Sequence, residues 1–148
     1  MAYCADTNIL LRLTEPGTES CELALTALAA LHDRGETVYI TPQNIVEFWC
    51  AATRPVDVNG LGLSSDQASN EVLKLGSIFP LLPDSAAIHP EWRALVVATK
   101  TIGLKTHDAR IAAALRVHEV THILTFNVKD FKSFGRPIPV HPADVPVV

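Results

Sequence analysis

Cysteine is scarce: the 148 residues hold three, Cys4, Cys21 and Cys50, and no CxxC pair. Widely spaced cysteines among apolar neighbours exclude a disulfide framework and a cysteine metal knuckle, and they read as small core residues of a reduced compartment. Long apolar runs are also missing. No stretch approaches the length needed to cross a bilayer, and the N-terminus has neither the basic region nor the apolar core of a secretion signal. The expectation is a cytoplasmic protein without membrane association. Charge is thin as well, with 19% charged residues and a net charge of −4, which argues against a surface that grips nucleic acid everywhere. No Walker motif occurs, Gly60-Leu61-Gly62 opens no phosphate-cradling helix, and no serine sits in a nucleophile elbow.

What is there is a globular composition, 48% hydrophobic, with a length suited to one domain spanning 1–148. Charge is uneven along the chain: residues 1–74 hold four Lys/Arg against ten Asp/Glu, and residues 75–148 hold eight against six. Lys100, Lys105, Arg110, Arg116, Lys129, Lys132 and Arg136 are candidates for a local basic patch.

The apolar run Ala2–Ala5 reads as a buried strand that ends at Asp6-Thr7-Asn8, and a short helix follows over Ile9–Leu13. Helical spacing over Glu19–Arg34 stops at Gly35, and Thr37–Ile40 is a β-branched strand. Thr41-Pro42 supplies a cap and a first-turn proline for a helix to about Thr53, with Asn44 and Glu47 on one face and Arg54-Pro55 as its stop. Residues 55–63 read as a loop, Ser64 caps a helix to about Phe79, and Leu81-Leu82 forms a short strand. Pro90 starts a helix ending near Gly103. A small-residue helix follows with Asp108 at its start, then a strand over His122–Thr125 and the turn Asn127–Asp130, with an edge strand near Val140. Strands alternating with helices predict an α/β fold with a parallel sheet.

In such a sheet the carboxyl ends of the strands and the starts of the following helices share one edge, so Asp6, Glu47, Asp108 and Asp130 can meet in one cleft. Crowded carboxylates raise one another's pKa, and a divalent cation relieves the repulsion. All-oxygen ligands without clustered His or Cys suit Mg²⁺ or Mn²⁺, which can activate water against a phosphodiester.

Asp6-Thr7-Asn8, Asn44-Ile45-Val46-Glu47-Phe48, His107-Asp108-Ala109-Arg110-Ile111-Ala112-Ala113 and Thr125-Phe126-Asn127-Val128-Lys129-Asp130-Phe131 together resemble the PIN domain, in particular the VapC-like toxins of bacterial type II toxin–antitoxin pairs. The resemblance implies a three-layer α/β/α fold around a parallel sheet of about five strands and Mg²⁺- or Mn²⁺-dependent endoribonuclease activity. It implies that Asp6, Glu47 and Asp108 are metal-binding carboxylates, that Asp130 is the last acidic position and that Asn127 assists. Thr125 orients these ligands, and Thr7, Asn8 and Asn44 support them. A homodimer and a small antitoxin are the partners it implies, beside an RNA substrate. Arg110 departs from the apolar residue usual there and is a candidate either for a phosphate contact or for neutralising the acidic cluster; with Lys105 and Lys129 it is a candidate RNA contact.

Two rival readings exist. A non-catalytic interaction module would be expected to have lost at least one of the acids. His118-Glu119-Val120-Thr121-His122 matches the HExxH zinc pattern, but that chemistry needs one continuous helix, and β-branched Val120-Thr121 running into a strand predicts that the helix ends inside the motif.

Overall fold

The computed structural model describes residues 1–146. The chain alternates strands and helices: β1 (Ala2–Ala5), α1 (Thr7–Leu13), α2 (Glu19–Asp33), β2 (Thr37–Tyr39), α3 (Pro42–Thr53), α4 (Ser65–Ile78), α5 (Ile88–Thr99), α6 (Lys105–Val117), β3 (His122–Leu124), α7 (Lys129–Lys132) and β4 (Ile138–Val140). Local signals act where the sequence puts them. Thr41 and Ser64 each complete a capping box with the residue three positions on, Asn44 and Gln67.

The four strands form one parallel sheet in the order β2-β1-β3-β4. The expected fifth strand is reduced to one parallel bridge, Ile40 to Leu81, beyond β2. Pro80 and Pro83 flank Leu81-Leu82, and residues without an N–H cannot extend a ladder. Pro139 is tolerated in β4 because β4 lies at the sheet edge.

Alternation along the strands divides the core into two faces. Tyr3, Ala5 and Leu124 pack with Leu10 of α1, Leu31 of α2, Phe48 of α3 and Leu75 of α4. Cys4 and Ile123 point the other way, onto Leu95 of α5, Ile111 and Leu115 of α6 and Phe131 of α7. Helices therefore cover both faces, giving the three layers. Each fully buried Ile or Leu contributes roughly 1.5–3 kcal/mol through loss of apolar surface to water. The alanines of α6, Ala109, Ala112, Ala113 and Ala114, are all buried. Their small side chains let this helix lie close to the sheet while α5 covers its other side.

Helix α5 begins at Ile88, two residues before Pro90, and ends at Lys100 in a left-handed conformation (φ 52°) instead of at Gly103. No residue of the HExxH segment is helical, because α6 ends at Val117. His118 caps α6, Glu119 has φ 57°, and His122 opens β3 and stacks on Tyr3. The two histidines do not share a helix face, which removes the zinc-hydrolase reading. No helix among the described residues is long and apolar enough to cross a membrane.

Candidate active site

From β1 the chain crosses to β2 on one side; β3 then lies on the other side of β1. Such a reversal leaves a crevice beyond the carboxyl ends of the two central strands, where open α/β sheets place their ligands. Asp6 follows β1 and Thr125 follows β3. Their main chains extend the ladder by one step, with the Asp6 N–H donating to the Leu124 carbonyl (2.9 Å).

A cleft of about 350 Å³ opens there, lined by Asp6, Thr7, Asn8, Glu47, Asp108, Asn127 and Asp130 together with Leu11, Cys50, Ala51 and Arg54. Four distant stretches of sequence thus supply four carboxylates to one cavity. Asn44 and Thr125 do not line it; both are fully buried behind it. A larger, mostly apolar groove of about 630 Å³, lined by residues such as Leu13, Leu28 and Phe79, carries no such cluster.

Asp6 is only 7% exposed and is held from three sides. The Thr7 N–H donates to Oδ1 (2.8 Å), while the Thr125 hydroxyl (2.8 Å) and Asn8 Nδ2 (3.3 Å) donate to Oδ2. Burial nevertheless raises its pKa from 3.8 to about 6, against these hydrogen bonds and with help from Glu47 and Asp130. The same burial, with Asp6 beneath it, pushes the Cys4 thiol well up, so it stays neutral and donates to Asn44 Oδ1 (3.5 Å).

Glu47 is positioned from both oxygens: the Thr7 hydroxyl donates to Oε1 (3.1 Å) and Gln43 Nε2 to Oε2 (2.9 Å). Asn44 does not reach into the cleft beside Glu47. Its Oδ1 accepts from the Thr41 N–H and hydroxyl, and its Nδ2 donates to Thr7 Oγ1 (3.2 Å), so it holds the residue that holds Glu47. Gln43 also donates to the His107 carbonyl (2.8 Å), linking α3 to the start of α6 beside Asp108. Asp108 lies in the first turn of α6, half-buried. Burial first, then the charges of Asp6, Asp130 and Glu47, lift its pKa from 3.8 to about 7, with Lys105 opposing. Asp130 is exposed in the first turn of α7, and the Asn127 N–H donates to Thr125 Oγ1 (3.0 Å).

The donor set is all oxygen, and two of its members are pushed towards protonation by burial and by the neighbouring carboxylates, a combination that fits Mg²⁺ or Mn²⁺. No three His, Cys, Asp or Glu side chains among the described residues form a ready-made metal cage. Mg²⁺ does not require one, because it retains several waters and binds through one or two carboxylates.

The candidate RNA contacts are not part of the cleft lining. Arg110 reaches Asp84 (3.5 Å) and Gln43 Oε1 (3.4 Å), Lys105 sits over the Phe134 ring at 5.7 Å, and Lys129 is exposed outside the cleft lining. Of the proposed basic patch, Arg116 is taken up by the Phe134 and Arg136 carbonyls and Glu91. Cys50 corrects the expectation of three buried cysteines: it is exposed and lines the cleft. Sequence reading passed over Gln43 and Arg54; the available signal was their spacing from Glu47, four residues before it and seven after.

The PIN domain family matches residues 3–137. No match was found among curated protein sequences. Among solved structures, the chain is similar to a toxin–antitoxin complex from Klebsiella pneumoniae, at 26% identity and a TM-score of 0.65 over 95% of this chain and 97% of that one. It is similar in fold to VapBC2 from Rickettsia felis bound to a promoter DNA fragment, at 19% identity and a TM-score of 0.71 over 95% and 98% of the two chains. It is also similar in fold to VapC20 of Mycobacterium tuberculosis, described as a sarcin–ricin-loop-cleaving toxin, at 15% identity and a TM-score of 0.59 over 82% and 86%.

Proposed function

The chain belongs to the PIN-domain family, and from that premise we propose that it is a Mg²⁺- or Mn²⁺-dependent endoribonuclease, the toxin of a toxin–antitoxin pair. The observation that carries the reading is the meeting of Asp6, Glu47, Asp108 and Asp130 in one open cleft at the switch point of the sheet. VapC20, a structural relative, is described as cleaving the sarcin–ricin loop, and the Klebsiella relative as a toxin–antitoxin complex. A small antitoxin and a second copy of the chain are the proposed protein partners. Three free cysteines and the lack of any membrane-crossing helix among the described residues fit a cytoplasmic site of action.

When bound, such an ion supplies a water of lowered pKa and offsets the charge that grows on the phosphate oxygens during in-line attack. The residues of the chain divide the remaining work. Asp6, fixed by three donors, keeps its carboxylate in one orientation, and Glu47 is fixed likewise by Thr7 and Gln43. Asp108 and Asp130 accept no side-chain hydrogen bond among the described residues, so their oxygens stay available for ligation. Thr125 and Asn44 act through the groups they hold, and Asn127 completes the rim.

The test is protein purified free of antitoxin, incubated with structured and single-stranded RNAs in Mg²⁺, in Mn²⁺ or in EDTA, beside Asp6→Asn. Cleavage that needs the metal and is lost in the variant is expected. Cleavage that survives EDTA, or an equally active variant, contradicts the reading.

A further inference from the structure

We propose that Arg54 grips a backbone phosphate flanking the scissile one, a substrate-binding role that rests on the reading of the cleft as a ribonuclease site. A cleft built from four acids repels a polyanion, so productive binding needs positive charge within reach of the strand. Among the described residues, Arg54 is the one basic residue that lines this cleft. The other candidate cations do not line it: Arg110 reaches Asp84, Lys105 sits over the Phe134 ring, and Lys129 is exposed outside the lining. The Arg54 guanidinium has no ion pair among the described residues.

Its position follows from helix geometry. Glu47, Cys50 and Arg54 stand at i, i+3 and i+7, and all three face the cleft. Seven residues at about 1.5 Å each separate Glu47 from Arg54 by roughly 10 Å along the axis. Arg54 is not among the charges that shift Asp6 or Asp108. It reaches a neighbouring phosphate of the same strand, where a planar guanidinium can bind two oxygens at once.

The backbone at Arg54 is held in place. Helix α3 ends with carbonyls that the following loop satisfies in turn: Leu61 N–H donates to Ala51 (3.3 Å), Leu63 N–H to Ala52 (2.9 Å) and Gly62 N–H to Arg54 itself (2.8 Å). The loop presses so close that a Cβ on Gly60 would lie 2.0 Å from the Arg54 carbonyl oxygen. Residues 55–63 thus fold back onto the helix end and fix where the Arg54 side chain leaves it.

The experiment compares Arg54→Gln and Arg54→Lys with the parent, all in the Asp6→Asn background so that binding is read without turnover. Fluorescence anisotropy with a labelled single-stranded RNA in Mg²⁺ is followed across a salt titration. Arg54→Gln is expected to raise Kd several-fold and to flatten the slope of log affinity against log salt by about 0.7, the loss of one phosphate contact on a single strand. Arg54→Lys should restore the slope and only part of the affinity. An unchanged Kd and slope in Arg54→Gln overturns the assignment, as does a parent that binds no RNA. Failure of the nuclease reading is seen separately, as absence of metal-dependent cleavage by the wild-type chain.

Discussion

Replacing Asp108 with asparagine should make the metal-free protein more stable, and by an amount that depends on pH. In the folded chain, burial and the neighbouring acids carry the Asp108 pKa from 3.8 to about 7. The interval of about 3 pH units corresponds nominally to about 4 kcal/mol at 1.36 kcal/mol per unit. Asp108 is only half-buried, so solvent screening reduces the figure to about 2 kcal/mol. The folded pKa is the higher one: between pH 3.8 and about 7 the native state holds a proton that the unfolded chain has released, and stability falls as pH rises through that window. Asparagine carries no charge at any pH and escapes the loss. In EDTA at about pH 8 the variant should therefore melt roughly 4–8 °C above wild type, with a smaller gain at about pH 5 and none below the unfolded-state pKa. Differential scanning calorimetry or urea titration at two pH values reads this directly. No gain at the higher pH, or the same gain at both, refutes the claim that charge crowding destabilises the empty cleft.

Further expectations follow from the same geometry. Mg²⁺ or Mn²⁺ at millimolar concentration should raise the melting temperature of wild type, more at about pH 8 than at about pH 5 because ligation needs ionised carboxylates, and should do so less in Asp108→Asn; an equal shift in both proteins contradicts a shared site. Thr125→Val removes the hydroxyl that bonds Asp6 Oδ2 and receives the Asn127 N–H, so it should cost roughly 1–3 kcal/mol by urea unfolding and move the Asp6 titration, followed by NMR, further upward. Gln43→Leu releases Glu47 Oε2, leaving only the Thr7 bond to Oε1, and removes the side-chain bond from α3 to α6, so metal affinity measured by calorimetry should fall by roughly 10–100-fold.

The strand end at Asp6, the cap at Thr41 and the order of the elements were legible in the sequence because each is written locally, in periodicity and in capping residues. The fold class followed from alternation alone, while the fifth strand shrank to the Ile40–Leu81 bridge under the prolines around it. The four acids could be brought to one sheet edge by topology, and the cleft does contain them. What could not be read was who holds whom. Asn44 looked like a companion of Glu47 on a shared face, yet its side chain turns inward to Thr41 and Thr7, a choice fixed by the neighbouring helix α1. Arg54 looked like a helix stop before proline, and the fold-back of residues 55–63 that fixes it depends on hydrogen bonds across the loop. The contact of Arg110 with Asp84 joins residues 26 apart in sequence and has no local signal.

The central claim is that these carboxylates bind a catalytic metal together, and a Mn²⁺-soaked crystal read by anomalous diffraction tests it most directly. The account predicts a peak inside the cleft within ligand distance of Asp6 or Asp108, weakened or lost in Asp6→Asn. A protein that cleaves RNA while its cleft shows no such peak, or that gathers Mn²⁺ only elsewhere, would contradict it.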